Sequence, residues 1–353
     1  MKARGLCWPN PEQILMLEFL FGPNEQAPES FRRWRAGVDL QTLDEASVQL
    51  LPLVYQRLLG LELHDPEMSR LRGTYRRTWL QNQLLLQKSL LALDALISAD
   101  IPVMAVKGLA ALRFYDHEVG LRSMMDIDLF VPITAGERAV DTLVGAGFRP
   151  SPWCHPDFIK RQLLRRDYSW AFVRDGGEVD LHWHALHRDP SHAVDSAIWQ
   201  HAELDSIAGR RCLLPSVTDQ LLWTCIHGAV WNSIGVMTWV ADAAAILRRA
   251  PEQIDWERWL ELTFTRRLTL TLLDAMSLLR QLLGPSVPEH VLQRLEAQPV
   301  TRSEELEYEA FHRPSQLTLE HQSALEYLSW CRNSQLRDLR GVKEPHDLGR
   351  VSP

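Results

Sequence analysis

Residues 106–131 read VKGLAALRFYDHEVGLRSMMDIDLFV, and the reading of the last seven decides the fold. If Met125 to Val131 form a strand, the two-residue alternation puts Met125, Ile127, Leu129 and Val131 on one face and Asp126 and Asp128 on the other. Two neighbouring carboxylates repel each other unless positive charge lies between them. A divalent cation with oxygen ligands is the simplest solution, and such an ion can also grip a phosphate.

Upstream, Ile101 to Val106 reads as a short buried strand that runs into Lys107-Gly108 and a helix from Gly108 to Tyr115. A glycine at a strand-to-helix junction lets a phosphate approach the backbone, and the helix start offers unpaired N–H donors. Downstream come a helix from Ala135 to Ala146, closed by Gly147, and a hairpin pairing Tyr168 to Val173 with Glu178 to His184 through Arg174-Asp175-Gly176-Gly177. In its second strand Asp180, His182 and His184 share a face, so a third carboxylate can approach Asp126 and Asp128. Three carboxylates on two strands, facing a glycine-led helix start, would make a two-metal phosphoryl-transfer site.

The flanks are helical. Asn10-Pro11-Glu12-Gln13 supplies an N-cap, a proline at the first position and a glutamine at the third, predicting a helix to Gly22-Pro23. Further helices are expected at Glu29 to Ala36, at Thr42 to Leu59 with a break or kink at Pro52, and from about Pro66 to Ser98. Leu71, Tyr75, Trp79, Leu86, Leu90, Leu93 and Ile97 mark one face of the last, widened by Leu84, Leu85 and Leu91. Past Ser216-Val-Thr-Asp219, a capping pattern, helices are expected through LLWTCIHGAVW, at Thr238 to Arg249, from Asp255, and at Arg266 to Leu283, with apolar patterning to Leu339. The remaining residues read as a polar tail. The divisions are 1–99, N-terminal helical; 100–214, α/β core; 215–339, C-terminal helical; and 340–353, tail.

With 353 residues, 46% hydrophobic and 24% charged, the composition is that of a globular protein. A net charge of -7 gives no global basic field and argues against general polyanion binding, while leaving room for a local basic groove. Five scattered cysteines, with no short Cys-Cys spacing, fit a reducing compartment. No apolar run reaches the roughly 20 residues that span a bilayer, and no signal core is visible, so a cytoplasmic location is expected.

Val106-Lys-Gly-Leu-Ala-Ala-Leu112, Gly120-Leu-Arg-Ser-Met-Met-Asp-Ile-Asp-Leu-Phe-Val-Pro132, Gly145-Ala-Gly-Phe148 and Val179-Asp-Leu-His-Trp183 resemble the uncharacterised nucleotidyltransferase family of the polymerase β superfamily. The likeness continues at His227-Gly228 and Trp239-Val-Ala-Asp242. It implies an α+β fold, a small mixed-sheet nucleotidyltransferase core between helical regions. It also implies transfer of a nucleoside monophosphate from an NTP such as ATP to an acceptor hydroxyl, with release of pyrophosphate. On that reading Asp126, Asp128 and Asp180 are the catalytic carboxylates and hold Mg²⁺ or Mn²⁺, while Lys107, Gly108 and Arg122 serve the nucleotide. One departure stands out. The superfamily's glycine pair lies closer to its carboxylates, whereas Gly108 precedes Asp126 by 18 residues.

Other readings compete. Asp-x-Asp in a strand is common by chance, so the context carries the interpretation. His182, His184 and His187 could ligate a transition metal, but more simply His182 is a polar neighbour of Asp180 and the others are surface residues. His227 could orient a substrate but reads more simply as a packing histidine, Asp242 as a helix tie through a cap or an arginine pair, and most of the 13 tryptophans as packing. The arginines at 70, 72, 76 and 77 read as a solvated helix face. Net acidity favours a small-molecule or protein acceptor over RNA. A nucleotidyltransferase fold used as a non-catalytic or partner-gated binding module, antitoxin-like, is the alternative, and a two-metal hydrolase is a third reading.

Overall fold

The computed structural model describes residues 8–164, 167–186, 192–230 and 237–312. His187, the apolar pattern of 313–339 and the tail at 340–353 lie outside the described residues.

Helix α1, Pro11–Phe21, starts where the sequence says. Asn10 Oδ1 accepts from Gln13 N at 2.9 Å, and Gln13 Oε1 accepts from Asn10 N at 2.9 Å. Helix α2 spans Ala27–Gly37, and α3 spans Glu45–Gly60 behind an Asp44 N-cap. Helix α3 passes through Pro52 without ending there. Helix α4, Met68–Ser98, has 31 residues.

Leu71, Leu85, Leu86, Leu90 and Leu93 of α4 are buried as expected, but the rest of the expected face is corrected. Trp79 is 43% exposed, and Leu84, Leu91 and Ile97 are exposed too, whereas Thr78, Asn82, Leu85, Ser89 and Leu96 are buried. Apolar spacing found only part of the face because the rest of the buried stripe is polar, and its Asn82 binds backbone described below.

Strand β1 is Met104–Val106, followed by α5, Lys107–Ala111, and a 3₁₀ turn at Leu112–Tyr115. Strand β2 is Ile127–Phe130, shorter than expected at both ends. Met125 precedes it and is 78% exposed, so it does not join the buried face. Then come α6, Gly136–Gly145; β3, Arg149–Ser151; β4, Ser169–Arg174; and β5, Gly177–His182. The β4–β5 turn uses Asp175 at φ 52° and Gly176 at φ 79°, the left-handed pair that a tight hairpin needs. Strands β6, Glu203–Ile207, and β7, Arg210–Leu214, form a second hairpin that the sequence reading missed.

These seven strands form one mixed sheet ordered β3-β4-β5-β2-β1-β7-β6. Strand β2 pairs antiparallel with β1 and parallel with β5. Each face has its own cover. Ala105, Ile127, Leu129, Val179 and Leu181 pack in a core with α4 and α6 residues such as Leu93, Leu96 and Leu143. Met104, Val106 and Phe130 join the other core, built from α1 to α3 and the C-terminal helices Val217–Val230, Thr238–Arg249 and Thr269–Leu283. The last of these begins at Thr269 rather than Arg266, because Trp256–Thr265 is a separate helix and Arg267 turns the chain at φ 55°. No helix among the described residues is long and apolar enough to cross a membrane.

Candidate active site

Alternation along β2 and β5 turns Asp128, Asp180 and His182 away from the α4 core. The register places Asp128 directly opposite Asp180, and Phe130 opposite His182. His182 Nε2 lies 3.1 Å from Asp128 Oδ1 and 3.0 Å from Asp180 Oδ2. The three side chains offer ligand atoms all within 4.8 Å of one another. His182 is therefore the polar neighbour of Asp180 that the sequence suggested. His184 is not a surface residue. It is buried, with Nδ1 2.7 Å from Asp195 Oδ2.

Asp126 stands apart from this cluster, in the bend before β2, half-buried. Burial, reinforced by the Asp128 charge, pushes its carboxyl up to about 7.

The positive charge between the carboxylates comes from the protein. Lys107 Nζ lies 2.7 Å from Asp128 Oδ1 and 3.9 Å from Asp180 Oδ2. Burial opposes ionisation of Asp128, yet Lys107 and His182 outweigh it and hold the carboxyl well below the usual range. Burial likewise opposes charge on Asp180, and His182 and Lys107 again prevail, so its pKa falls. The same attraction raises Lys107 despite its burial. For His182, burial and Lys107 act against protonation, but the two aspartates outweigh them and raise its pKa. A divalent cation is thus not the sole answer to the repulsion that opened the sequence argument.

Lys107 owes its position to an unusual backbone. It sits at φ 48°, a left-handed conformation seldom adopted by side-chain-bearing residues, at the β1–α5 junction. Gln220 Nε2 donates to its carbonyl at 3.2 Å.

Arg122 is fixed elsewhere. Its Nε lies 3.0 Å from both oxygens of Asp242 and its Nη2 3.0 Å from Oδ2, while Tyr115 donates its hydroxyl to Asp242 Oδ1 at 2.9 Å. Asp242 is thus a helix tie made through an arginine pair. Gly108 is where the arginine passes, since a Cβ there would stand 2.4 Å from Arg122 Nη1.

The long loop before Asp126 is held by Asn82. Its Nδ2 donates to Val119 O at 2.5 Å and Arg122 O at 2.6 Å, and its Oδ1 accepts from Met124 N at 3.2 Å. The sequence reading missed Asn82. Its one signal was a polar residue on α4 four positions after Thr78 and seven before Ser89, a polar file at helical spacing.

Lys107, Gly108, Arg122, Asp126 and Asp128 all line a cavity of about 320 Å³. Its far wall comes from the helices at 217–230 and 238–249, with Trp223, His227 and Trp239. Gly228 lets those helices close, because a Cβ there would meet Trp239 Cγ at 1.9 Å. Burial, then Lys107, pushes the His227 imidazole down to about 3.

A mixed sheet with paired aspartates on adjacent strands, one of them, Asp128, lining a polar cavity beside a lysine–glycine junction, places this chain in the nucleotidyltransferase class. It belongs to the uncharacterised nucleotidyltransferase family, whose pattern it matches over residues 46–284. Among solved structures it is similar to the antibiotic-resistance factor ANT(2'')-Ia, with 15% identity, 54% of this chain and 96% of that one covered, and a TM-score of 0.35. It is also similar to an antigenic nucleotidyltransferase-like protein from Paracoccidioides brasiliensis, with 16% identity, 59% and 96% covered, and a TM-score of 0.30. No curated protein matches the chain.

Proposed function

We propose that the protein transfers a nucleoside monophosphate from an NTP to an acceptor hydroxyl, with release of pyrophosphate. The observation that carries this reading is Asp128, which faces Asp180 in register across β2 and β5 and lines the cavity that Lys107, Gly108 and Arg122 also line.

Two carboxylates and an imidazole within 4.8 Å suit a divalent ion such as Mg²⁺ or Mn²⁺, the imidazole adding affinity for the latter. Asp128, Asp180 and His182 would hold it, with Asp126 beside them. Bound there, the ion would supply Lewis-acid stabilisation of the triphosphate and a lowered pKa for the acceptor hydroxyl. The chain's own residues do the rest. Lys107 neutralises charge on the departing pyrophosphate. Arg122, its charge already matched by Asp242, contributes less to the phosphates than Lys107 and more to the shape of the cavity wall. Asp126, half-buried, lines the same cavity beside these groups. The division at 1–99, 100–214 and 215–339 belongs to this proposal, the flanking helices shaping the acceptor side, and so does a cytoplasmic location. The acidic net charge favours a small-molecule or protein acceptor over RNA.

One observation favours a second reading, a partner-gated or non-catalytic binding module. Lys107 and His182 offset the carboxylate charges without a metal, so the carboxylates alone do not demand catalysis. Calorimetric titration with each NTP and Mg²⁺, on the wild type and on Asp128→Asn, separates the two. Metal-dependent binding lost in the variant, followed by pyrophosphate release with an acceptor, supports the transferase. If no NTP binds with Mg²⁺ or Mn²⁺, the transferase reading fails.

A further inference from the structure

A second cavity, of about 420 Å³, lies between α1, α3 and the helix Thr238–Arg249. Tyr115 forms part of its wall, and the same tyrosine reaches Asp242 in the wall of the first cavity. Leu20, Leu53, Phe114 and Ala244 give this second cavity an apolar lining.

Its charges are one-sided. Arg57, Arg248 and Arg249 line it against a single carboxylate, Asp116. Arg249 is matched by Asp116 through contacts of 2.9 and 2.6 Å. Two guanidinium groups remain, and neither forms an ion pair among the described residues.

Both are held in place by the end of α1. Arg57 donates through Nε to Phe19 O at 3.3 Å and through Nη2 to Gly22 O at 3.0 Å, and Arg248 donates through Nη2 to Phe21 O. Those carbonyls supply only the partial negative charge of a helix C-terminus, short of two full positive charges. The remaining N–H groups, Nη1 of Arg57 and Nε and Nη1 of Arg248, have no protein acceptor among the described residues. The pair is close enough to interact. Burial pulls both below the usual arginine range, and the charge of Arg57 pulls Arg248 down further. In a chain of net charge -7, two unmatched, preoriented guanidinium forks beside an apolar recess form a site for an anion.

We infer that this second cavity binds a small phosphate monoester with an apolar body, its phosphate between Arg57 and Arg248 and its body against Leu53 and Phe114. A dianion fits better than a carboxylate because it matches both charges. The inference does not depend on the transferase reading, since none of these residues lies in the first cavity.

The test is calorimetric titration of the full chain with phenyl phosphate in buffer containing a chelator. Saturable one-to-one binding is expected, weaker for benzoate and absent for benzyl alcohol. Arg248→Gln should weaken binding about tenfold or more, the scale of a charge-assisted contact. Gln56 is exposed on the rim of the cavity, so Gln56→Glu should weaken binding and Gln56→Lys should tighten it, each about threefold. The Gln56 pair decides the matter if Arg248→Gln does not fold. The inference is overturned if phenyl phosphate does not bind, if benzoate binds as tightly, or if the Gln56 variants do not move the affinity in opposite directions.

Discussion

The guanidinium of Arg122 occupies the space that a side chain at Gly108 would need: a Cβ on the glycine would come within 2.4 Å of Nη1 and 2.9 Å of Cζ. The glycine at this strand-to-helix junction therefore makes room for a side chain of the protein. That side chain is locked to Asp242, so backbone near position 108, the loop ending at Asp126 and the helix Thr238–Arg249 meet at one contact.

Gly108→Ala tests this contact. Alanine favours a helix over glycine by about 1 kcal/mol, so propensity alone predicts stabilisation. Displacing Arg122 works the other way, at about 1–3 kcal/mol for overpacking and more if the buried pair with Asp242 is disturbed. Urea unfolding should show a net loss of about 2 kcal/mol. A variant as stable as the wild type would mean that Arg122 yields freely and that the close approach is inconsequential.

Asn82→Leu removes three hydrogen bonds to the loop at 119–124 while keeping the number and branching of the side chain's heavy atoms. Leaving buried backbone groups unpaired costs about 1–3 kcal/mol. The local effect should be larger than the global one. Hydrogen exchange of the amides from Val119 to Met124 should rise well beyond that of β4 and β5, and affinity for any ligand of the first cavity should fall. Unchanged exchange in the loop would show that Asn82 does not hold it.

How much of this site could be read in the sequence depends on the distance between partners. Asp128 and Asp180 were legible because period-two alternation fixes which way a strand residue points, whatever the strand pairs with. Their exact opposition was not, since β2 and β5 are parallel neighbours with β3 and β4 between them in sequence, and register across such a gap leaves no local trace. The family resemblance named Lys107 and Arg122, but their ionic partners are tertiary facts. Asp242 lies 120 residues from Arg122, and nothing in Lys107-Gly108 announces that its ammonium will turn back onto Asp128. The face of α4 was read only in part for a related reason. Hydrophobic spacing finds apolar stripes, and here the side against the site loop carries Thr78, Asn82 and Ser89. The hairpin of β6 and β7 escaped because Glu203–Ile207 and Arg210–Leu214 mix charge with apolar residues, without clean alternation.

Lys107→Met should show what the ammonium does when no metal is present. Breaking a buried pair costs about 3–5 kcal/mol, because the partner keeps its charge in a poorly solvated place. The variant should therefore unfold at a lower temperature than the wild type in chelator. Added Mn²⁺ should raise the variant's Tm by more than the wild type's, because a cation held by Asp128, Asp180 and His182 would replace the lost charge. Equal shifts in the two proteins would mean that the ion and the lysine do not compete for the same carboxylates.

His227 makes the pH dependence of stability a test of the cavity's far wall. Its pKa falls from 6.5 to about 3 on folding, chiefly through burial and then through Lys107. The unfolded chain therefore binds this proton more readily than the folded one, and stability must drop as the proton becomes available. The contribution is complete above pH 6.5 and is lost progressively as pH falls toward 3. Because the side chain keeps partial contact with solvent, a loss on the order of 1 kcal/mol between pH 7 and 5 is expected from this residue. His227→Gln removes the titration, so urea unfolding at pH 7 and pH 5 should show a smaller acid-induced loss in the variant. The same loss in both proteins would mean that the imidazole is protonated in the folded state at pH 5, and that the wall around Trp223 and Trp239 admits a charge.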